Sequence, residues 1–286
     1  MPSLYRDYIE LTKPRILMMQ IVTLGMGIFL AVDGPAPWGI ILASMVGTVC
    51  VSAGAGSLNH VMESDVDGLM ERTRNRPIVA GRVSRFSAAV FGFFMSIMGL
   101  AILFGFVNNL VGILSFLTLF LYLAVYTPLK KLSWLNTLVG AVPGAIPPLG
   151  GWAVITGALP AQAWSLFLIL FIWQLPHFYA IAWIFKDDYE KGGFKMLSVL
   201  DPDGLRTARQ IIMQTILLII VSVFPIVIGM VGIIYGVGAM VLGGYFLKSG
   251  IRFYKSRSIA DARGVLKASV FYLPLLLVFM IIDKLL

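Results

Sequence analysis

The chain has 286 residues, of which 59% are hydrophobic and only 13% charged. Soluble domains carry about 25% charged residues, so this deficit excludes an ordinary water-soluble enzyme. The net charge of +8 at pH 7 would be compatible with a nucleic-acid partner, but the positions of the charges, set out below, argue for no nucleic acid. Cys50 is the only cysteine, so neither an intramolecular disulfide nor a cysteine-built metal centre can form.

The opening Met1-Pro2-Ser3-Leu4-Tyr5-Arg6-Asp7 does not read as a cleavable signal. The first apolar run lacks a small-residue cleavage site and is expected to remain as a helix, and no Arg-rich transit peptide precedes it, which favours a prokaryotic source. Nine apolar segments follow, at 16–32, 38–59, 86–104, 110–127, 136–156, 163–185, 209–228, 231–247 and 268–283. Each is near the ~20 residues that a bilayer-crossing helix needs. The expected fold is all-α, a single transmembrane domain over 1–286. A turn at 105–109 joins segments three and four, and 157–162 joins five and six. Pro225 and the stretch from Gly229 to Gly232 mark the break between seven and eight.

Arg6, Lys13 and Arg15 flank the start of the first segment. Arg72, Arg74, Arg76, Arg82 and Arg85 follow the second, and Lys130 and Lys131 follow the fourth. Lys186, Lys191, Lys195, Arg206 and Arg209 follow the sixth, and Lys248, Arg252, Lys255, Arg257, Arg263 and Lys267 follow the eighth. With nine helices, 21 of the 22 basic residues therefore lie on one side, and only Lys284 lies elsewhere. The positive-inside rule puts that side, with the N-terminus, in the cytoplasm and the C-terminus outside, in a bacterial plasma (inner) membrane.

The second segment leads into Asn59-His60-Val61-Met62-Glu63-Ser64-Asp65-Val66-Asp67-Gly68, and then into Leu69-Met70-Glu71-Arg72-Thr73-Arg74-Asn75-Arg76-Pro77. At about 100° per residue, Asn59, Glu63 and Asp67 share one helical face, whereas Asp65 falls near the opposite one. Oxygen ligands on one face suit Mg²⁺, which takes a few carboxylates plus substrate phosphate oxygens. The planar fork of arginine suits phosphate directly. Carboxylates beside guanidinium groups make a candidate diphosphate site, with Arg72 and Arg76 as the binding arginines. A second acidic pair, Asp187 and Asp188, ends the sixth segment on the same side and could share the metal. Tyr126, Lys130 and Lys131 also reach that side, where a lysine neutralises charge on a leaving phosphate. His177 begins an apolar stretch after Pro176, and it could ligate a metal, contact a large planar substrate or bond to a backbone carbonyl. His60 lies nearer to water. Cys50 lies in an apolar stretch and is read as inert.

The run Asn59-x-x-x-Glu63-x-Asp65-x-Asp67, followed by Met70-Glu71-Arg72-Thr73-Arg74-Asn75-Arg76-Pro77, resembles the UbiA superfamily of intramembrane prenyltransferases. Pro147-Pro148-Leu149-Gly150-Gly151-Trp152, Pro176-His177-Phe178 and Lys186-Asp187-Asp188-Tyr189 are similar to its haem-directed branch. Two departures stand out: Glu63 occupies a position where Asp is common, and Gly192 follows Asp188 by four where a second Asp often stands. The resemblance implies nine helices around a central cavity open to the lipid bilayer. It implies farnesyl transfer from farnesyl diphosphate to a vinyl group of protohaem IX, with water adding, to give haem O and diphosphate. The catalytic residues would be Asp67, Lys130 and Asp188. Mg²⁺ would be held by Asn59, Glu63 and Asp67 with Asp188, and Asp187 and Asp65 would be further candidates. Asn59, Arg72, Arg76, Lys130, Lys131 and Tyr126 would surround the diphosphate, and His177 would contact haem. A haem A synthase would be the partner downstream. The alternatives are the same chemistry on a quinone precursor or other aromatic acceptor, or a membrane transporter.

Overall fold

A computed structural model describes residues 4–286. Its elements are α1 (Leu4–Leu11), α2 (Pro14–Ala31), α3 (Trp38–Asp67), α4 (Arg85–Phe106) and α5 (Asn109–Phe120). A π-helical turn (Leu121–Tyr126) carries α5 into α6 (Thr127–Leu132). There follow α7 (Asn136–Thr156), α8 (Ala161–Ile184), α9 (Lys186–Lys191), α10 (Leu205–Val221), α11 (Phe224–Val227), α12 (Ile233–Ser256) and α13 (Ile259–Leu285). Among the described residues no strand forms, and nine helices are long and apolar enough to span a bilayer. Large apolar side chains face outward, such as Phe93, Phe94 and Ile97 on α4 and Val237, Met240 and Val241 on α12. That exposure is favourable only in lipid.

Two helices run past the ends of their apolar segments. The second span does not stop at 59 but continues as helix to Asp67, so the acidic run is helical throughout. The expected basic loop between the last two spans shrinks to a turn at Arg257 and Ser258. Hydropathy marks where the chain leaves hydrocarbon. The helices persist further because one face stays packed: Phe253 and Val265 are fully buried while Arg252 and Arg263 point outward.

The close approaches between spans fall at glycines. Gly47 and Gly54 on α3 face Gly99 and Gly92 on α4, where a Cβ on Gly54 would lie 2.7 Å from the Gly92 carbonyl oxygen. Small residues allow such backbone contact where no hydrophobic force drives helices together. A Cβ on Gly27 of α2 would lie 2.1 Å from the Pro148 carbonyl oxygen of α7, and one on Gly151 would lie 2.1 Å from that of Leu24. Pro147 and Pro148 have no N–H for the carbonyls four residues earlier, which opens α7 locally. Gln174 of α8 packs against Gly144 of α7 and donates to the Ala141 carbonyl of α7 (3.3 Å) and the Leu170 carbonyl of its own helix (3.0 Å).

At the end of the bundle that carries few basic residues, α13 ties the ring together. Asp283 accepts from the N–H groups of Gly232 and Tyr235 (2.8 Å each) and caps the start of α12. Lys284 donates to the carbonyls of Leu30 (2.7 Å) and Val32 (3.0 Å) at the end of α2. At the opposite end, Trp183 donates to the Arg257 carbonyl (3.0 Å) and covers Gly204, whose φ of 72° starts α10.

Gly27→Ala is expected to cost about 1–3 kcal/mol by overpacking against α7. The control Gly244→Ala, with open space at its Cβ, should cost little. Thermal midpoints of the two variants in detergent would check this.

Candidate active site

Helix α3 carries Asn59 (0% exposed), Glu63 (6%) and Asp67 (1%) on one buried face. Burying a carboxylate without a partner is costly, and each of these residues has a cationic partner from a different element. Lys13, in the turn between α1 and α2, donates to Asn59 Oδ1 and to the Tyr122 hydroxyl (3.0 Å). Lys130 of α6 donates to Glu63 Oε1 at 2.6 Å. Arg76 donates to Asp67 Oδ2 at 2.6 Å. Asn59 in turn donates to Thr127 Oγ1 (3.0 Å).

The supporting elements are fixed in turn. Lys13 stands at φ 54°, an unusual backbone conformation for a side-chain-bearing residue. Its turn is held against α3 at Gly56, where a Cβ would lie 2.8 Å from the Leu11 carbonyl oxygen. Arg82 anchors α1 through Asp7 (2.7 Å). Burial pushes the Lys13 ammonium down to about 7; the positive charges of Arg76 and Lys130 add to this, and Glu63 and Asp67 oppose it. In the π turn the Tyr122 carbonyl accepts from both the Thr127 N–H and the Thr127 hydroxyl (2.8 Å). It stacks Tyr122 on Tyr126 with ring centroids 5.7 Å apart. The Lys130 ammonium lies 4.6 Å from the Tyr126 ring centre and 5.7 Å from that of Phe194.

The structure therefore brings together Asn59, Glu63, Asp67, Arg76, Lys130 and Tyr126 from the sequence-derived set, and adds Lys13, Tyr122 and Thr127. It does not bring in the others. Asp65 is exposed and pairs with Arg85, because it sits off the shared helical face. Asp187 and Lys131 are exposed, each next in sequence to the residue that turns inward. Asp188 accepts from the backbone N–H groups of Glu71 (3.2 Å) and Arg72 (3.1 Å), so it braces the loop after α3. Arg72 leans on Tyr189, donating to its hydroxyl at 3.2 Å, with its guanidinium 5.2 Å from the Phe185 ring centre. Among the described residues no three His, Cys, Asp or Glu side chains gather as a metal cluster.

Two carboxylates and an amide oxygen still fit a hard divalent cation that keeps water and phosphate in its shell. Asp67 Oδ1 is buried without any hydrogen-bond partner and has acceptor capacity left for such an ion. His177 lies elsewhere, between α8 and α13. Its Nδ1 is 2.7 Å from Ser269 Oγ, and its ring stacks on Trp173 at 5.1 Å. Lys13 reads in sequence as one more positive-inside residue. The signal that could have singled it out is its position directly before Pro14 at the mouth of the first span.

Lys130→Met would leave Glu63 buried and unpaired, at an expected cost of about 3–5 kcal/mol. Adding Glu63→Gln should restore most of that loss. Detergent denaturation of the two single variants and the double variant measures the coupling.

Residues 20–275 match the UbiA prenyltransferase family. A protoheme IX farnesyltransferase of Solibacter usitatus (strain Ellin6076) is 44% identical, covering 98% of this chain and 99% of its own. One of Salinibacter ruber (strain DSM 13855 / M31) is 42% identical, with 97% and 98% covered. Among solved structures, a digeranylgeranylglyceryl phosphate synthase superposes with a TM-score of 0.82 at 16% identity, covering 98% of each chain. A UbiA homologue from Archaeoglobus fulgidus bound to DMAPP and Mg²⁺ gives 0.71 at 14%, covering 97% of this chain and 98% of that one.

Proposed function

The chain belongs to the UbiA prenyltransferase family, and from that membership we propose that it transfers the farnesyl group of farnesyl diphosphate to a vinyl group of protohaem IX, with water adding, to yield haem O. Relatives named for that reaction along nearly their whole length support the acceptor. The observation that carries the diphosphate site is the pairing of buried oxygen donors with chain cations along one face of α3. The active unit is the single domain over 1–286. Its N-terminus and the loop after α3 face the cytoplasm, and its C-terminus lies outside the plasma membrane, as the one-sided basic residues argue.

Asn59, Glu63 and Asp67 would hold Mg²⁺, and Mg²⁺ bound there supplies Lewis-acid neutralisation of diphosphate charge. Lys13, Lys130 and Arg76 on the same face supply donors for the remaining phosphate oxygens, and Arg72 stands at the rim. These groups stabilise the diphosphate as the allylic carbon–oxygen bond breaks and the electron pair leaves with oxygen. Asp188 serves by bracing the loop that carries Arg72 and Arg76. The Tyr122 and Tyr126 rings offer π faces beside the developing allylic cation. The vinyl π pair then forms the carbon–carbon bond. Water takes the cation left beside the porphyrin and releases a proton. His177 contacts haem. Product haem O would pass to a haem A synthase.

Protein incubated with protohaem, farnesyl diphosphate and Mg²⁺ should yield a haem heavier by farnesyl plus water on mass spectrometry. The product should vanish with EDTA and in Asp67→Asn. Diphosphate release that requires a quinone precursor instead would remove haem as the acceptor.

Lys13 should also make diphosphate binding pH-dependent. Burial lowers its ammonium to about 7 in the ligand-free protein, and an anion beside it favours the charged form. Binding of inorganic diphosphate at pH 8 should therefore take up a proton and weaken as pH rises. Calorimetry in two buffers of different ionisation heat reads this uptake, and Lys13→Met should abolish it.

A further inference from the structure

We infer that Ser269 is a positioning residue, holding His177 in the Nδ1–H tautomer so that its Nε2 lone pair is the ligand for the iron of the haem substrate; this rests on haem being the acceptor. The Ser269 hydroxyl has one proton, and two neighbours lie within bonding distance. The Leu266 carbonyl oxygen is 2.6 Å away and His177 Nδ1 is 2.7 Å away. A carbonyl oxygen can only accept. If the hydroxyl proton pointed to His177, two oxygen lone pairs would face each other at 2.6 Å. The proton therefore goes to Leu266, and Ser269 Oγ accepts from His177 Nδ1–H. Nε2 is left with a free lone pair.

The arrangement is rigid. Ser269 is fully buried, and its own carbonyl accepts from Trp173 Nε1 at 2.8 Å. Trp173 in turn stacks on the imidazole, with 23° between the ring planes, so α8 and α13 fix both the plane and the tautomer of the ring. Phe178 stands edge-on at 5.6 Å. Among the described residues no donor reaches Nε2, and it is not among the sealed, unpartnered atoms. No carboxylate or cationic side chain takes part in this arrangement, so a neutral imidazole in an apolar span offers its lone pair. Imidazole suits iron, and an outer partner on the far nitrogen that fixes ring orientation is how protein histidines are prepared for metals. An intramembrane histidine held this way by a hydroxyl is a ligand in waiting rather than a packing residue.

The test is titration of the purified full-length protein with ferric haem, followed by Soret absorption and electron paramagnetic resonance. Product formation is measured on the same preparations. Wild type should give a bound-haem spectrum that His177→Ala loses and that added imidazole restores. Ser269→Ala should weaken haem binding about tenfold and alter the spectrum, while Ser269→Thr, which keeps the hydroxyl, should stay near wild type. A structural defect alone would lower the thermal midpoint without changing the iron's spectral signature, and imidazole would not repair it. If wild type makes farnesylated haem while His177→Ala shows the wild-type spectrum, or if Ser269→Ala matches wild type in affinity and spectrum, the inference is overturned and the haem reading stands. If wild type neither binds haem nor forms the product, both fall.

Discussion

The end of the bundle where the basic residues gather is organised by one electrostatic requirement. Helix α3 buries two carboxylates and an amide on one face; each carboxylate must meet positive charge and the amide oxygen a donor. Opposite charges 4 Å apart attract by roughly 4 kcal/mol at an effective dielectric of 20, so these pairings are strong enough to fix which elements surround α3. The turn before the first span supplies Lys13, the loop after α3 supplies Arg76, and the end of the fourth span supplies Lys130. Three stretches far apart in sequence are thereby held around one face. An anionic ligand bound there would compete with the carboxylates for the same cations.

The glycine contacts make that geometry possible. Gly47 and Gly54 let α3 lie against α4, and Gly56 lets the chain before Lys13 pass close by. A bulkier residue at Gly56 would push the turn away from α3 and Lys13 from Asn59. On the other side, the prolines of α7 and the glycines at 27 and 151 let α2 and α7 mesh. Structural and site demands thus meet in the same small residues.

The parts legible in sequence were those set by local period or by composition. Hydropathy gave the nine spans, and the side carrying the basic residues followed from counting them. The shared face of Asn59, Glu63 and Asp67 followed from helical geometry. The extension of α12 to Ser256 was hidden, because polar residues end an apolar pattern without ending a helix. Pairings between distant positions were hidden too. Lys13 meets Asn59 across 46 residues and His177 meets Ser269 across 92. Neither lysine before a proline nor serine in an apolar span has a periodicity to read. The contacts of Asp188 were hidden for a related reason: a carboxylate at a helix start is as well suited to backbone N–H groups as to a metal, and only the position of the loop after α3 brings Glu71 and Arg72 to it.

The contacts of Asp283 and Lys284 bear on how such a protein is made. Both residues lie in the last turn of α13, and they hold the end of α2 and the start of α12. During synthesis the first spans enter the membrane long before these two residues leave the ribosome. The ring can therefore close at that end only after α13 has emerged, and until then the end of α2 lacks the side chain that holds it.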